Sequence, residues 1–161
     1  MFIRDARATD LMQILKLNEE SEHFLDQLNA ERLEQLHKIA AYHRVVEING
    51  RVEAFLLAFS DSTDYHYPSY LWFVRHFEKF IYIDRVVISS AKQGQGIGKL
   101  LYEDLLLFAK NNNFVRVTCE FDVNPPNEAS RRLHEKFGFK EVGTQLVGEK
   151  KKQVSLQARA V

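Results

Sequence analysis

The sequence has a single cysteine, Cys119, so no internal disulfide can form. A reducing, cytoplasmic setting is the simplest expectation. Charge of either sign is not in excess. Lys+Arg and Asp+Glu each number 22, formal net charge is +0, and nothing draws the chain generally toward nucleic acid or an anionic membrane. The one basic run, 149–152, reads as a solvated hairpin tip more readily than as a nucleic-acid patch. Long apolar runs are missing too. The longest, as at 54–59, span only a few residues, against about 20 for a membrane span. Arg4, Asp5, Arg7 and Asp10 crowd the first turns, which argues against a signal peptide. His23, His37, His43, His66 and His76 lack compact metal-ligand spacing, so no metal is expected.

What is present is ordinary for one globular domain. A chain of 161 residues with 45% hydrophobic and 27% charged residues supports one full core and is short for two, so 1–161 is expected to be a single domain. It is organised around 81–108. An apolar β-branched run (Ile81, Ile83, Val86, Val87, Ile88) leads into three alternate glycines, Gly94, Gly96 and Gly98, and then into a strongly helical segment. Such glycines let backbone N–H groups crowd a ligand, and the helix N-terminus adds partial positive charge. A phosphate-bearing cofactor is expected here.

Along the chain, 2–6 reads as a strand and Thr9-Asp10 opens a helix, with Thr9 as cap and Leu11, Ile14, Leu15 and Leu17 as its stripe. A second helix covers roughly 30–41. Between them, 21–29, with Phe24, Leu25 and Leu28, reads as a loop or broken helix. Asn49-Gly50 between two β-rich runs, 43–48 and 52–59, signals a hairpin. Strand 80–88 and helix 97–111 follow, the helix stopping at three asparagines. Segment 115–123 alternates, with Val117, Cys119 and Phe121 on one side and Arg116, Thr118, Glu120 and Asp122 on the other. Pro125-Pro126 breaks the chain. Asn127 caps a helix over 128–137, with Ala129, Leu133 and Phe137 as its stripe. A final hairpin spans 139–147 and 153–158. This order predicts a mixed α/β or α+β domain.

Connection 60–79 is long and aromatic. Pro68-Ser69 can start a short helix there, putting Tyr70, Phe73, Val74 and Phe77 on one face. One reading packs these rings on the core. Another makes Tyr65, Tyr70, Trp72 and Phe73 a substrate wall. The two are compatible.

The glycine turn is open to three readings. A P-loop needs GxxxxGK[ST], and Leu100 stands where the hydroxyl should be. A dinucleotide fingerprint needs GxGxxG close behind a strand, and here the third glycine falls one residue early while 89–93 separate the turn from the strand. The pattern Gln93-x-x-Gly96-x-Gly98 instead resembles the acyl-CoA pyrophosphate loop of the GNAT superfamily of N-acetyltransferases. Asn127-Glu128-Ala129 through Gly138-Phe139 is similar to that family's second signature, and the element order and the opening Ile3-Arg4…Asp10 resemble it as well. Tyr82 through Val87, Val117 through Glu120 and Asn124 through Asn127 resemble a small bacterial branch of undefined substrate.

The resemblance implies a fold and a chemistry. The fold is a GNAT-like, mostly antiparallel mixed sheet with splayed fourth and fifth strands and helices on both faces. Acetyl-CoA is the implied cosubstrate and a primary amine of a small molecule or peptide the implied partner. Homodimers are common in such folds. Val86, Val87 and Ile88 would bind the pantetheine through backbone. Gln93, Gly94, Gln95, Gly96, Ile97, Gly98 and Lys99 would cradle the pyrophosphate, and Asn127 and Ser130 would face the pantetheine and adenosine. An N–H near Val86 would stabilise the oxyanion. The base candidates are Glu120 and Asp84, either of which can instead bind the substrate ammonium or pair with Arg85 or Arg116. His134 stands where many members carry a tyrosine acid, and is either that acid or a half-exposed helix residue without a chemical role. Cys119 belongs with the core before any nucleophilic role. A non-catalytic acyl-CoA-binding module is the alternative to an enzyme.

Overall fold

The computed structural model describes residues 1–21, 27–124, 126–149 and 151–161. The expected loop at 21–29 with Phe24 and Leu25, the break at Pro125, and Lys150 in the basic tip therefore fall wholly or partly outside the described residues. In chain order the elements are β1 (Phe2–Asp5), α1 (Leu11–Glu20), α2 (Ala30–Ile39), β2 (Tyr42–Ile48), β3 (Arg51–Ser60), α3 (Pro68–His76), β4 (Phe80–Ile88), α4 (Ile97–Asn111), β5 (Arg116–Asn124), α5 (Glu128–Lys136), β6 (Lys140–Val147) and β7 (Lys152–Ala160). The strands form a seven-stranded mixed sheet in the order β1-β2-β3-β4-β5-β7-β6. It is mostly antiparallel, with β4 and β5 parallel through Phe80, Ile81 and Tyr82 against Arg116, Val117 and Thr118. Residues gather into two compact units, Met1–Phe59 with Asp84–Leu105, and Ser60–Ile83 with Leu106–Val161.

In the first unit, Asn49 and Gly50 take φ of 51° and 77°, the left-handed pair that a two-residue hairpin turn demands. They join β2 to β3 antiparallel. β3 is buried almost throughout, and α1 and α2 present Ile14, Leu17, Leu33 and Leu36 to the core. Thr9 does not cap α1. Asp10 holds that position, and its buried carboxylate accepts from Arg4 at 2.7 and 2.9 Å and from the Arg7 N–H at 2.7 Å. Asn29 caps α2 through the Arg32 N–H at 2.7 Å.

In the second unit, β5, β7 and β6 lie antiparallel in that order. Helices cover both faces of this ribbon. Glu120 faces α3, where Ser69 bonds it, while the next residue, Phe121, faces α5, where it meets His134 at 5.8 Å between ring centroids. Asn127 caps α5 by accepting from the Ser130 N–H at 3.2 Å. The buried face of α5 differs from the expected stripe. Ala129 is exposed, Leu133 and Phe137 are half-buried, and His134 is the residue that goes inside.

Candidate active site

β4 ends at Ile88. Ser89 continues its course, its N–H donating to the Glu53 carbonyl at 2.8 Å. A short 3-10 turn, Ser90–Lys92, reverses the chain, and Gln93 is extended. Gly94 and Gly96 then take φ of +78° and +79°, and a Cβ built on either meets no atom within 4 Å. The glycines are therefore required by their dihedrals, and the space beside them is open. Gln93, Gly94, Gln95 and Gly96 are exposed, whereas Ile97 and Gly98 are buried where α4 begins. Ile97, Leu101, Tyr102 and Leu105 anchor that helix from within. Exposed left-handed glycines thus stand immediately before the N-terminus of a 15-residue helix, a backbone arrangement of the kind that can form anion-binding concavities.

Upstream, β4 alternates. Val87 is buried, and Val86 and Ile88 are half-buried. Asp84 is not a free carboxylate. Its Oδ2 accepts from Arg85 Nε at 2.7 Å, and both side chains are nearly inaccessible. The pairing with Arg85 that the sequence left open for Asp84 is present.

The second unit holds the other candidates. Glu120 accepts from the Ser69 hydroxyl through Oε2 and from the Tyr82 hydroxyl through Oε1 at 3.3 Å. Two O–H donors from separate elements thus fix the carboxylate's orientation on a half-buried site. Neither partner was legible as such. Ser69 stands out only as a helix start and Tyr82 only as a strand residue, although Tyr82 pairs with Thr118, two residues from Glu120 and on its side of β5.

Of the aromatic connection, Tyr70 and Phe73 are fully buried and Tyr65 nearly so. Tyr70 meets Tyr82 at 5.6 Å and donates its hydroxyl to the Ser60 carbonyl at 2.6 Å. Phe73 meets Phe80 and Tyr82 at 6.0 and 5.9 Å. These rings pack the core in this structure. Val74, expected to share their face, is exposed. Trp72 is half-buried and stacks on His76 at 3.8 Å.

His134 is buried, not half-exposed, and burial pushes its imidazole down to about 4. It is neutral at pH 7. Its Nδ1–H donates to the Ser130 carbonyl at 2.6 Å, with the Ser130 hydroxyl 3.2 Å away. Cys119 is buried, and desolvation holds its thiol well above the usual range, so it carries no thiolate. Among the described residues no group of three His, Cys, Asp or Glu side chains is placed to hold a metal ion, and no helix is long and apolar enough to cross a membrane.

Residues 8–139 match the Acetyltransferase (GNAT) family. The chain belongs to the GNAT family. Over 59 residues this GNAT chain is 41% identical to phosphinothricin N-acetyltransferase of Streptomyces coelicolor, a stretch that spans 37% of the chain and 33% of that relative. Ard1 from Thermoplasma volcanium superposes with a TM-score of 0.82 at 15% identity, over 99% of this chain and 97% of that one. The yncA protein of Salmonella typhimurium, solved with its cofactor acetyl-CoA, gives a TM-score of 0.75 at 18% identity, over 99% and 93%. At these identities the superpositions speak to the GNAT fold alone.

Proposed function

We propose that 1–161 works as one acyl-CoA N-acyltransferase domain that moves an acetyl group from acetyl-CoA to a primary amine of a small molecule or peptide, both substrates being bound at once. The turn at Gly94 and Gly96 carries the reading. Its left-handed glycines, the open space beside them and the start of α4 fit a pyrophosphate. In this reading the backbone of Gln93, Gly94, Gln95, Gly96, Ile97, Gly98 and Lys99 binds the diphosphate. The backbone of Val86, Val87 and Ile88 binds the pantetheine, and Asn127 and Ser130 contact the cofactor from the start of α5.

When bound, acetyl-CoA supplies an acyl group activated as a thioester. The chain's own residues do the rest. Glu120, oriented by Ser69 and Tyr82, accepts the proton of the incoming ammonium, or holds that ammonium until water takes the proton. Asp84, committed to Arg85, is the weaker candidate for that task. The Val86 N–H is aimed at the carbonyl oxygen. His134 is assigned the proton for the departing sulfur. With its imidazole pushed down to about 4 it is neutral beforehand, so the proton it passes to sulfur is the one the attacking nitrogen sheds as the amide forms. Trp72, alone among the four aromatic candidates in being only half-buried, is the one assigned to the acceptor. The single buried cysteine fits a reducing, cytoplasmic setting.

The test is release of free thiol from acetyl-CoA across a library of amines that includes phosphinothricin, the compound named in one relative. Turnover of any amine is the expected result. Tight CoA binding with no turnover overturns the enzyme reading in favour of a CoA-binding module. No CoA binding at all overturns both.

A further inference from the structure

Asp84 and Arg85 are neighbours on β4, yet their side chains are bonded, Arg85 Nε to Asp84 Oδ2 at 2.7 Å. Successive side chains leave a regular strand on opposite faces, so the longer one, Arg85, bends back to meet its neighbour. Relative side-chain exposure is only 6% for Arg85 and 4% for Asp84. A guanidinium so far from water is costly unless its donors are met. Its Nη1 reaches across to Asn18 Oδ1 at 3.0 Å. Asn18 is on α1, with no exposed surface, one residue beyond the buried Leu17. Polar and wholly enclosed, Asn18 sets its side-chain oxygen on the Arg85 guanidinium.

The next backbone donor after Arg85 is the Val86 N–H. The Arg85 carbonyl and the Val86 N–H belong to one planar peptide, so a constraint on Arg85 is a constraint on the direction of that N–H. α1 is thereby tied, through one side chain, to the peptide that the acetyltransferase reading aims at the acyl group. None of these residues lies in the glycine turn.

We propose that Asn18, acting through Arg85 and its ion pair with Asp84, is a positioning residue for acyl transfer: it holds the Arg85–Val86 peptide so that the Val86 N–H points at the thioester carbonyl. The proposal rests on the acetyltransferase reading and adds the residue that aims its key donor. The oxygen of Asn18 is what matters, so Asn18→Asp keeps the function while Asn18→Leu and Asn18→Ser lose it. The serine variant leaves room for water beside the guanidinium and covers the case in which the leucine variant does not fold.

The readout is the infrared carbonyl stretch of bound, ¹³C-labelled acetyl-CoA, together with kcat and KM. In the natural protein the stretch is expected below that of free acetyl-CoA, as a carbonyl accepting a hydrogen bond. In Asn18→Ser and Asn18→Leu it is expected to return most of the way to the free value. kcat should fall roughly 10- to 100-fold, the scale on which small misplacements act. KM for acetyl-CoA should change little, and Asn18→Asp should restore both. An unmoved carbonyl band in a variant with lowered Tm would leave Asn18 a merely structural residue and overturn the proposal. A natural protein that binds no acetyl-CoA would take down the acetyltransferase reading itself, and this proposal with it.

Discussion

The Nδ1 atoms of His37, in the last turn of α2, and His43, on β2, lie 2.7 Å apart. Only one of the two can carry the shared proton. His43 Nε2 is buried without a hydrogen-bond partner. An enclosed N–H without an acceptor costs more than an enclosed lone pair, so the His43 proton belongs on Nδ1, donated to His37. The bond requires a bare Nδ1 on His37, and the burial of His43 requires its own ring to be neutral.

That requirement gives the fold a pH dependence. Burial, and then the proximity of His37, pushes His43 down to about 4, and burial does the same to His134. In the unfolded chain each titrates near 6.5. As pH falls through 6.5 the unfolded state takes up protons first. The stability from neutral burial is therefore fully present above about 6.5 and drains away down to about 4. Asp10, held below its ordinary 3.8 by Arg4, adds a further loss at lower pH. Each histidine contributes on the order of 2–3 kcal/mol over the window, and Tm should drop by roughly 10 °C between pH 7 and pH 4.5. Thermal unfolding across that range tests it. A flat profile would refute the account of His43 and His134 buried neutral, and His43→Leu should flatten part of the slope.

Glu120→Gln should lower kcat by roughly 10²- to 10⁴-fold, the range for loss of a general base. Ser69→Ala removes one bond that orients the carboxylate and should cost about tenfold. Steady-state kinetics with any amine the natural protein turns over are sufficient. A Glu120→Gln enzyme within twofold of the original would remove Glu120 from the chemistry.

What was legible in the sequence is what the backbone demands locally. Asn49-Gly50 announces its own left-handed dihedrals, and the hairpin follows. Helix α4 begins and ends where expected, Ile97–Asn111, because glycines must precede it and Asn113 takes a left-handed φ of 64° after it. The glycine turn is equally local. What was not legible depends on partners far along the chain. Ser69 and Glu120 are 51 residues apart, and neither sequence neighbourhood names the other. Thr9 is drawn into a 3-10 turn, Ala8–Asp10, which Arg4 from the adjoining strand ties down through the Asp10 carboxylate, so α1 starts at Leu11. In α5 the apolar spacing pointed to Ala129, but Phe121 and Phe139 offer an aromatic socket that a flat imidazole fills. Composition could not separate a substrate wall from a core in the aromatic connection, since both are built from the same rings.

Two substitutions at Gly96 separate dihedral strain from anion binding. Gly96→Ala places a Cβ in open space at φ +79°, so its cost is the left-handed strain alone, about 1 kcal/mol. Gly96→Glu carries the same strain and adds a carboxylate to the turn that the proposed function assigns to the pyrophosphate. Both variants should lose a few degrees of Tm. Only the glutamate variant should lose CoA binding by titration calorimetry. Retained CoA affinity in Gly96→Glu would move the pyrophosphate site elsewhere.

Gly143 sits on β6 where its register with β7 shifts, and a Cβ there would lie 2.6 Å from Cζ2 and 3.1 Å from Cη2 of Trp72. The indole cannot yield by a simple side-chain swing, because it is stacked on His76 at 3.8 Å and set edge-on to Phe73 at 5.3 Å. His76 is itself held by donating Nδ1–H to the Trp72 carbonyl at 2.7 Å. Gly143→Ala must therefore tip the indole or push β6 away, at about 1–3 kcal/mol. Trp72 is the only tryptophan in the chain, so its emission reports the event directly. A red shift with lowered Tm is expected in Gly143→Ala. Combining it with Trp72→Phe should cost less than the sum of the two single changes, because the smaller ring removes the clash. Strict additivity would mean that glycine is there for the bulge and not for the indole. Lost acceptor turnover in Gly143→Ala with CoA affinity intact would place the Trp72 ring on the amine side of the reaction.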